Sequence, residues 1–261
     1  MFQPAAPTES VTRSLPRGDE IDAISLDLDD TLWPVVPALV RAEQDMHQWL
    51  LAHAPATAAI CSTTRLREIR VLIAMANAER AHDMGWMRLE SLRQALREGG
   101  EDPALAVGAF NVFLEGRQRV TLYPEVEEVL QRWKPRYKLL VVTNGNADID
   151  KIGIGHYFDI NVAAHEVGIG KPDRRIFEHA CEQAGVLPAR VLHIGDDLEL
   201  DVIGARSAGM HAAWLRRPDL EAQVLAHRGH AGPDLGETQE PAFADLLSLE
   251  RALDRASPGG A

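Results

Sequence analysis

Short runs of β-branched and aliphatic residues recur at residues 23–28, 138–143, 160–164, 191–194 and 210–215, and no other feature narrows the folds open to this chain as far. Runs of this length read as buried strands, and the stretches between them carry apolar residues at helical spacing. In residues 172–185, Ile176, Phe177, Ala180, Cys181 and Ala184 line one helical face, with Gly185 placed to stop the helix. Strands alternating with helices predict an α/β fold whose parallel sheet is covered on both faces. The working edge of such a sheet is formed by the carboxyl ends of its strands.

One region breaks the alternation. Residues 34–119 carry almost no strand signal, only long amphipathic patterns such as residues 41–54 and 62–100, which predict a helical insert after the first strand. The expected organisation is therefore a flexible arm at 1–20, a core built from 21–33 and 120–261, and a helical unit at 34–119. Residues 231–241 read as a loop and 242–256 as a helix.

Composition limits what the chain can bind. A net charge of -12 repels nucleic-acid backbones and anionic membrane surfaces. An anionic small substrate stays open only where a metal ion or a few focused cations reverse the local field. Cys61 and Cys181 form no C-x-x-C pair, which suits a reducing cytoplasm. No run approaches the roughly 18 apolar residues that span a bilayer, and residues 1–20 lack the apolar segment of a signal peptide. No obligatory protein partner is evident.

Residues 24–33, ISLDLDDTLW, place Asp27, Asp29 and Asp30 at the end of the first strand. Carboxylates so close raise one another's pKa, and a divalent cation would resolve the conflict. Mg2+ suits an all-oxygen shell and leaves room for a substrate oxygen, whereas the bland reading is an exposed acidic turn or helix cap. The second run leads into Thr143-Asn144-Gly145-Asn146, which at a helix start would cap the helix or cradle a phosphoryl oxygen. Lys171 lies in a Gly/Pro turn ahead of Asp173, and by default would be a solvated lysine. The fourth run, VLHIGDDLELD, adds Asp196 and Asp197, with Asp201 about one helical turn on. All four groups sit at strand ends of one expected sheet, so they can converge on one crevice.

In this order and spacing, DLDDT, VVTNGN, GKPD and HIGDDLELD resemble the four motifs of the haloacid dehalogenase-like superfamily of phosphohydrolases, over residues 21–215. The resemblance implies a Rossmann-like, doubly wound core with an inserted helical cap domain, and a Mg2+-dependent phosphatase acting on a small phosphorylated metabolite. It implies that Asp27 is the nucleophile and that Asp29 is the acid/base, giving its backbone carbonyl to the metal. Thr143, Asn144 and Gly145 would hold phosphoryl oxygens, and Lys171 would neutralise them. Asp27, Asp29, Asp196, Asp197 and Asp201 would surround the metal. Dehalogenases of the superfamily lack a carboxylate two residues after the nucleophile, so Asp29 favours a phosphatase over a dehalogenase. A phosphomutase on the same core and a non-catalytic phospho-ligand binder also stay open. His165 departs from the small hydroxyl residue of many relatives, and His193, inside a strand, reads as a satisfied core group. In the cap, Arg88 near Trp86 is either a packing arginine or a substrate contact. TNGNAD and the stretch following HIGDD also look like bacterial phosphatases acting on FMN and on phosphorylated ribitylaminouracil.

Overall fold

A computed structural model describes residues 15–80, 82–218 and 241–256. Residues 1–14 of the expected arm and nearly all of the loop-like stretch at 231–241 lie outside the described residues. Gly18–Glu20, within the expected arm, forms a short 3-10 turn.

Six strands form one parallel sheet: β1 (Ala23–Leu26), β2 (Lys138–Thr143), β3 (Ile160–Ala163), β4 (Val191–Gly195), β5 (His211–Leu215) and β6 (Ala242–Phe243). Their order across the sheet is β3-β2-β1-β4-β5-β6, with β1 at the point where the chain reverses its direction of winding. Leu26 is level with Val141 of β2 and Ile194 of β4, so the three strands deliver their next residues to one edge together.

The strand pleat decides which residues cover which face. Ile24, Leu26, Leu139, Val141, Leu192 and Ile194 join the core under helix α6 (Val126–Trp133) and the helix Leu246–Ala256. Ala23, Leu140, Val142 and Val191 pack on the other face against Ile176, Phe177 and Ala180 of the helix Arg174–Ala184. The helix expected at 172–185 is thus present with its anticipated apolar face buried, and Gly185 ends it at φ 63.

Between residues 34 and 119 the described residues hold α-helices and no strand. These are α1 (Val35–His53), α2 (Pro55–Ile60), α3 (Thr63–Ala76), α4 (Met84–Glu98) and α5 (Ala106–Arg117). They gather around an apolar centre of their own, which includes Met46, Leu50, Leu66, Ile69, Leu92 and Phe113. The chain leaves and re-enters the sheet region at adjoining points, where Tyr123 N–H donates to Leu32 O at 3.0 Å. Among the described residues no helix is long and apolar enough to cross a membrane.

Several boundaries differ from expectation. β1 stops at Leu26 instead of residue 28, because past Asp27 the chain turns back on itself, Leu32 N–H bonding Leu28 O at 2.8 Å. β3 ends at Ala163, since Ala164 already begins the helical turn Ala164–Val167. β5 starts at His211, and Met210 is drawn back by its N–H bond to Ala205 O. The helix expected from 242 begins at Leu246, because Ala242 and Phe243 pair with β5 instead.

Leu26 is fully buried on the central strand. Leu26→Ala should lower unfolding free energy by about 2–5 kcal/mol, measured by denaturant titration. A loss below about 1 kcal/mol would mean that the centre of the sheet is not close-packed.

Candidate functional site

The edge formed by the ends of β1, β2 and β4 carries a buried cluster of charge. Lys171, 6% exposed, places Nζ 2.8 Å from Asp27 Oδ1 and 2.6 Å from Asp201 Oδ1. It is therefore an interior cation, not the solvated lysine that its Gly/Pro turn suggested. Burial opposes its charge, but the carboxylates of Asp201 and Asp27 outweigh this and hold its pKa above the ordinary lysine value. The same contacts act on Asp201, where burial is overcome by Lys171 and His193 and the carboxyl is held below its usual range. Asp201 Oδ2 also accepts from Asp197 N–H at 3.0 Å.

His193 is fully buried on β4, and burial keeps its pKa below the ordinary histidine value. In its neutral form the network assigns the proton to Nε2, which donates to Asp201 Oδ1 at 3.2 Å, while Nδ1 accepts from Ser25 Oγ at 2.9 Å. This is the satisfied core histidine anticipated from the strand pattern.

Asp27, Asp196 and Asp201 each offer a carboxylate oxygen, and the three oxygens lie within 4.8 Å of one another. Burial, with Asp201 and Asp29 adding to it and Lys171 opposing it, pushes the Asp27 carboxyl up to about 7. Burial and the neighbouring Asp201, Asp27 and Asp30 push Asp196 well above its ordinary value. Lys171 offsets part of this repulsion and leaves the rest. An all-oxygen donor set with surplus negative charge suits a hard divalent cation such as Mg2+. Thr31 Oγ1 steadies Asp196 by donating to its Oδ1 at 3.2 Å, and Trp214 Nε1 donates to its backbone oxygen at 2.8 Å.

The other expected carboxylates have separate partners. Asp197 is exposed, and its side chain caps the following helical turn through Glu199 N–H and Leu200 N–H. Asp30 adopts a left-handed backbone at φ 59, and its Oδ1 accepts from Val35 N–H at the start of α1. Asp29 is not one of the three-oxygen group. Its Oδ1 accepts from Trp33 Nε1 at 2.9 Å and from Arg117 Nη2 at 2.7 Å, and its Oδ2 from the same Nη2 at 2.5 Å. Arg117 and Trp33 were not singled out from the sequence. An arginine 88 positions from its carboxylate leaves no periodic signal, though its place at the end of the helical insert was legible.

The end of β2 differs in detail from expectation. Thr143 Oγ1 accepts from Gly145 N–H, and both ends of the Asn144 amide bind the Lys171 backbone, at 2.9 and 2.7 Å. Asn144 thus ties the lysine loop to β2. No helix starts there, because the first helical turn is capped by Asp148 and begins at Ile149. A side chain at Gly145 would meet Asp29 Oδ2 at 2.9 Å, so the β2 loop lies directly against the β1 loop. Arg88 stands apart, buried on α4, with Cζ 3.6 Å from the centre of the Phe113 ring.

The folded Asp27 carboxyl binds its proton more tightly than an unfolded one, so metal-free stability falls as pH rises from about 4 to about 7. Excess Mg2+ should therefore raise the melting temperature more near pH 7.5 than near pH 5. Asp196→Asn should remove most of that difference. Equal Mg2+ effects at the two pH values, read by thermal denaturation against EDTA controls, would show that the carboxylates do not bind the ion together.

A family profile described as haloacid dehalogenase-like hydrolase matches residues 21–209. The chain is 32% identical over 200 residues to the 5-amino-6-(5-phospho-D-ribitylamino)uracil phosphatase YigB of Escherichia coli, covering 75% of this chain and 84% of that protein. It is 36% identical over 171 residues to a phosphoserine phosphatase of Thermus thermophilus, covering 62% and 67% of the two chains. Among solved structures, a 2-haloacid dehalogenase from Pseudomonas syringae superposes with TM-score 0.77 and 33% identity, covering 91% of this chain and all of that one. The strand order, the charge cluster at the strand ends and these matches place the chain in the haloacid dehalogenase-like hydrolases.

Proposed function

We propose that the chain is a phosphatase hydrolysing small phosphate monoesters through an aspartyl-phosphate intermediate. The observation that carries this reading is the arrangement around Asp27: a carboxylate at the end of the central strand, held by a buried lysine and facing two further carboxylates. Such a site joins a nucleophile to the positive charge that phosphoryl transfer requires.

In the first step an Asp27 oxygen attacks phosphorus and the bond to the ester oxygen breaks. Asp29 gives that oxygen a proton, so that an alcohol leaves. In the second step Asp29 takes a proton from water, the water oxygen attacks phosphorus, and the bond to Asp27 breaks with release of inorganic phosphate. Lys171 neutralises charge on the phosphoryl oxygens and fixes Asp27. Arg117 and Trp33 aim the Asp29 carboxylate, and Thr143 with the Gly145 backbone lines the phosphoryl side. Asp27, Asp196 and Asp201 would hold a Mg2+ ion, which would supply further positive charge to the phosphoryl group.

The division into a core at 21–33 and 120–261 and a cap at 34–119 belongs to the same reading, with the cap covering the crevice. His82, in the insert, lies where a side chain at Gly170 would touch its Cβ at 3.2 Å, beside Asn144. Similarity to a phosphoribitylaminouracil phosphatase supports including that ester among candidate substrates, and FMN joins it on the motif resemblance alone. The similar dehalogenase structure makes halide release the competing chemistry. Halide leaves without a proton, and Asp29 would have no task in that reaction.

Purified protein with Mg2+ should release phosphate from p-nitrophenyl phosphate and no halide from 2-chloropropionate. EDTA and Asp27→Asn should each reduce phosphate release to background, and Asp29→Asn should lower kcat by about 10²–10⁴-fold. Phosphate release that survives Asp27→Asn would remove Asp27 as nucleophile.

A further inference from the structure

Two residues past the end of β5, Arg217 is a buried cation that this chemistry leaves without a task. It is 5% exposed, and its guanidinium is shared between the two connections of the insert to the core. Nη2 donates to Thr31 O at 2.7 Å, on the connection that leaves β1. Nη1 donates at 2.6 Å to Oε1 of Glu125, the residue immediately before α6 on the returning connection. The Arg217 Cζ lies 3.7 Å from the centre of the Tyr123 ring, and Tyr123 N–H in turn bonds Leu32 O at 3.0 Å. Thr31, Leu32, Tyr123 and Arg217 thus close a ring of contacts where the insert departs and returns.

Stability alone is a weak account of this arrangement. A buried ion pair is often no better than apolar side chains of similar volume, because desolvation offsets the attraction. Here Arg217 Nε is also sealed without a partner, which is a further cost. What a forked guanidinium supplies, and an apolar side chain cannot, is a fixed place for the carbonyl that it binds.

The residue so placed is Thr31, fully buried, whose Oγ1 donates to Asp196 Oδ1 at 3.2 Å. Asp196 needs such a hold. Burial and the neighbouring Asp201, Asp27 and Asp30 disfavour its ionised form, so repulsion works against its place in the three-oxygen group. The end of β5 holds it twice. Trp214 Nε1 donates to its backbone oxygen at 2.8 Å, and Arg217, three residues on, reaches its carboxylate through Thr31.

We propose that Arg217 is a positioning residue for the divalent cation: by fixing the Thr31 carbonyl it sets where the Asp196 carboxylate stands, and cation affinity depends on it although Thr31 intervenes. The proposal rests on the phosphatase reading for the cation being Mg2+. Because the same guanidinium binds both connections of the insert, one side chain sets the cation site and the gateway together.

Cation affinity is read on the substrate-free chain, by titration calorimetry with MgCl2 after EDTA treatment and dialysis, so turnover does not enter. Arg217→Lys keeps the charge but has no fork to span Glu125 and Thr31, and should weaken Mg2+ binding at least about 5-fold. Arg217→Met combined with Glu125→Gln removes both buried charges together and decides the matter should the lysine variant not fold, with an expected loss of about 10- to 100-fold. Leu130→Ala, a cavity on α6, controls for lost stability: it should lower the melting temperature and leave the dissociation constant within about 3-fold of the parent. Thr31→Val deletes the donor to Asp196 and should itself weaken binding. Adding Arg217→Lys to it should cost less than about 3-fold more, because both act along one path. Parental affinity in the Arg217 variants or in Thr31→Val, losses that multiply when the two are combined, an equal loss in Leu130→Ala, or no Mg2+ binding by the parent overturns the positioning role. Phosphate release by the unsubstituted chain is scored separately: release with parental Mg2+ affinity in the variants removes only the positioning role, and weakened affinity without release in the parent removes only the phosphatase reading.

Discussion

The Lys171 ammonium, sealed between Asp27 and Asp201, is the contact on which the remainder of the site depends. Without it, three carboxylates with oxygens within 4.8 Å would repel one another in a medium that screens poorly. Removing one partner of such a buried pair typically costs about 3–5 kcal/mol, because the other is left uncompensated. The lysine is held in turn from several directions. Asn144 at the end of β2 binds its backbone, and Asp201 links it to His193 on β4 and through Ser25 to β1. Three strands and the loop at 168–173 are thus registered on one cation.

The acidic run after β1 becomes intelligible as a division of labour. Asp27 joins the lysine and the oxygen group, Asp29 is taken by Arg117 and Trp33, and Asp30 supplies the start of α1. Each carboxylate faces a different source of positive charge or N–H donors. Their mutual repulsion is relieved three times over within four residues, and the left-handed backbone of Asp30 helps to turn the side chains apart.

The parallel sheet was legible because strands buried on both faces must be continuously apolar, and nothing in those runs competes with that demand. Asp27, Asp29, Lys171, Asp196 and Asp201 were legible as candidates because each directly follows, or lies within one turn of, an element with a clear period. What was not legible depends on distant pairing. Arg117 meets Asp29 across 88 positions, and Asn144 spends its amide on a loop 27 residues away instead of on a helix start. The short strand at Ala242–Phe243 is specified by β5 beside it more than by its own residues. Arg88 is buried on α4 against Phe113, and its ion-pair partner Glu43 lies on α1, so the two share no local pattern.

The bond between Tyr123 and Leu32 joins the two places where the helical insert departs and returns. To the sheet, the roughly 90 intervening positions are a single detour with a fixed gateway, and the entropy of closing a detour grows only logarithmically with its length. Helices can be lengthened, traded or rotated within it while the gateway keeps its dimensions. The insert can diversify on this scaffold without any renegotiation of where Asp27 stands.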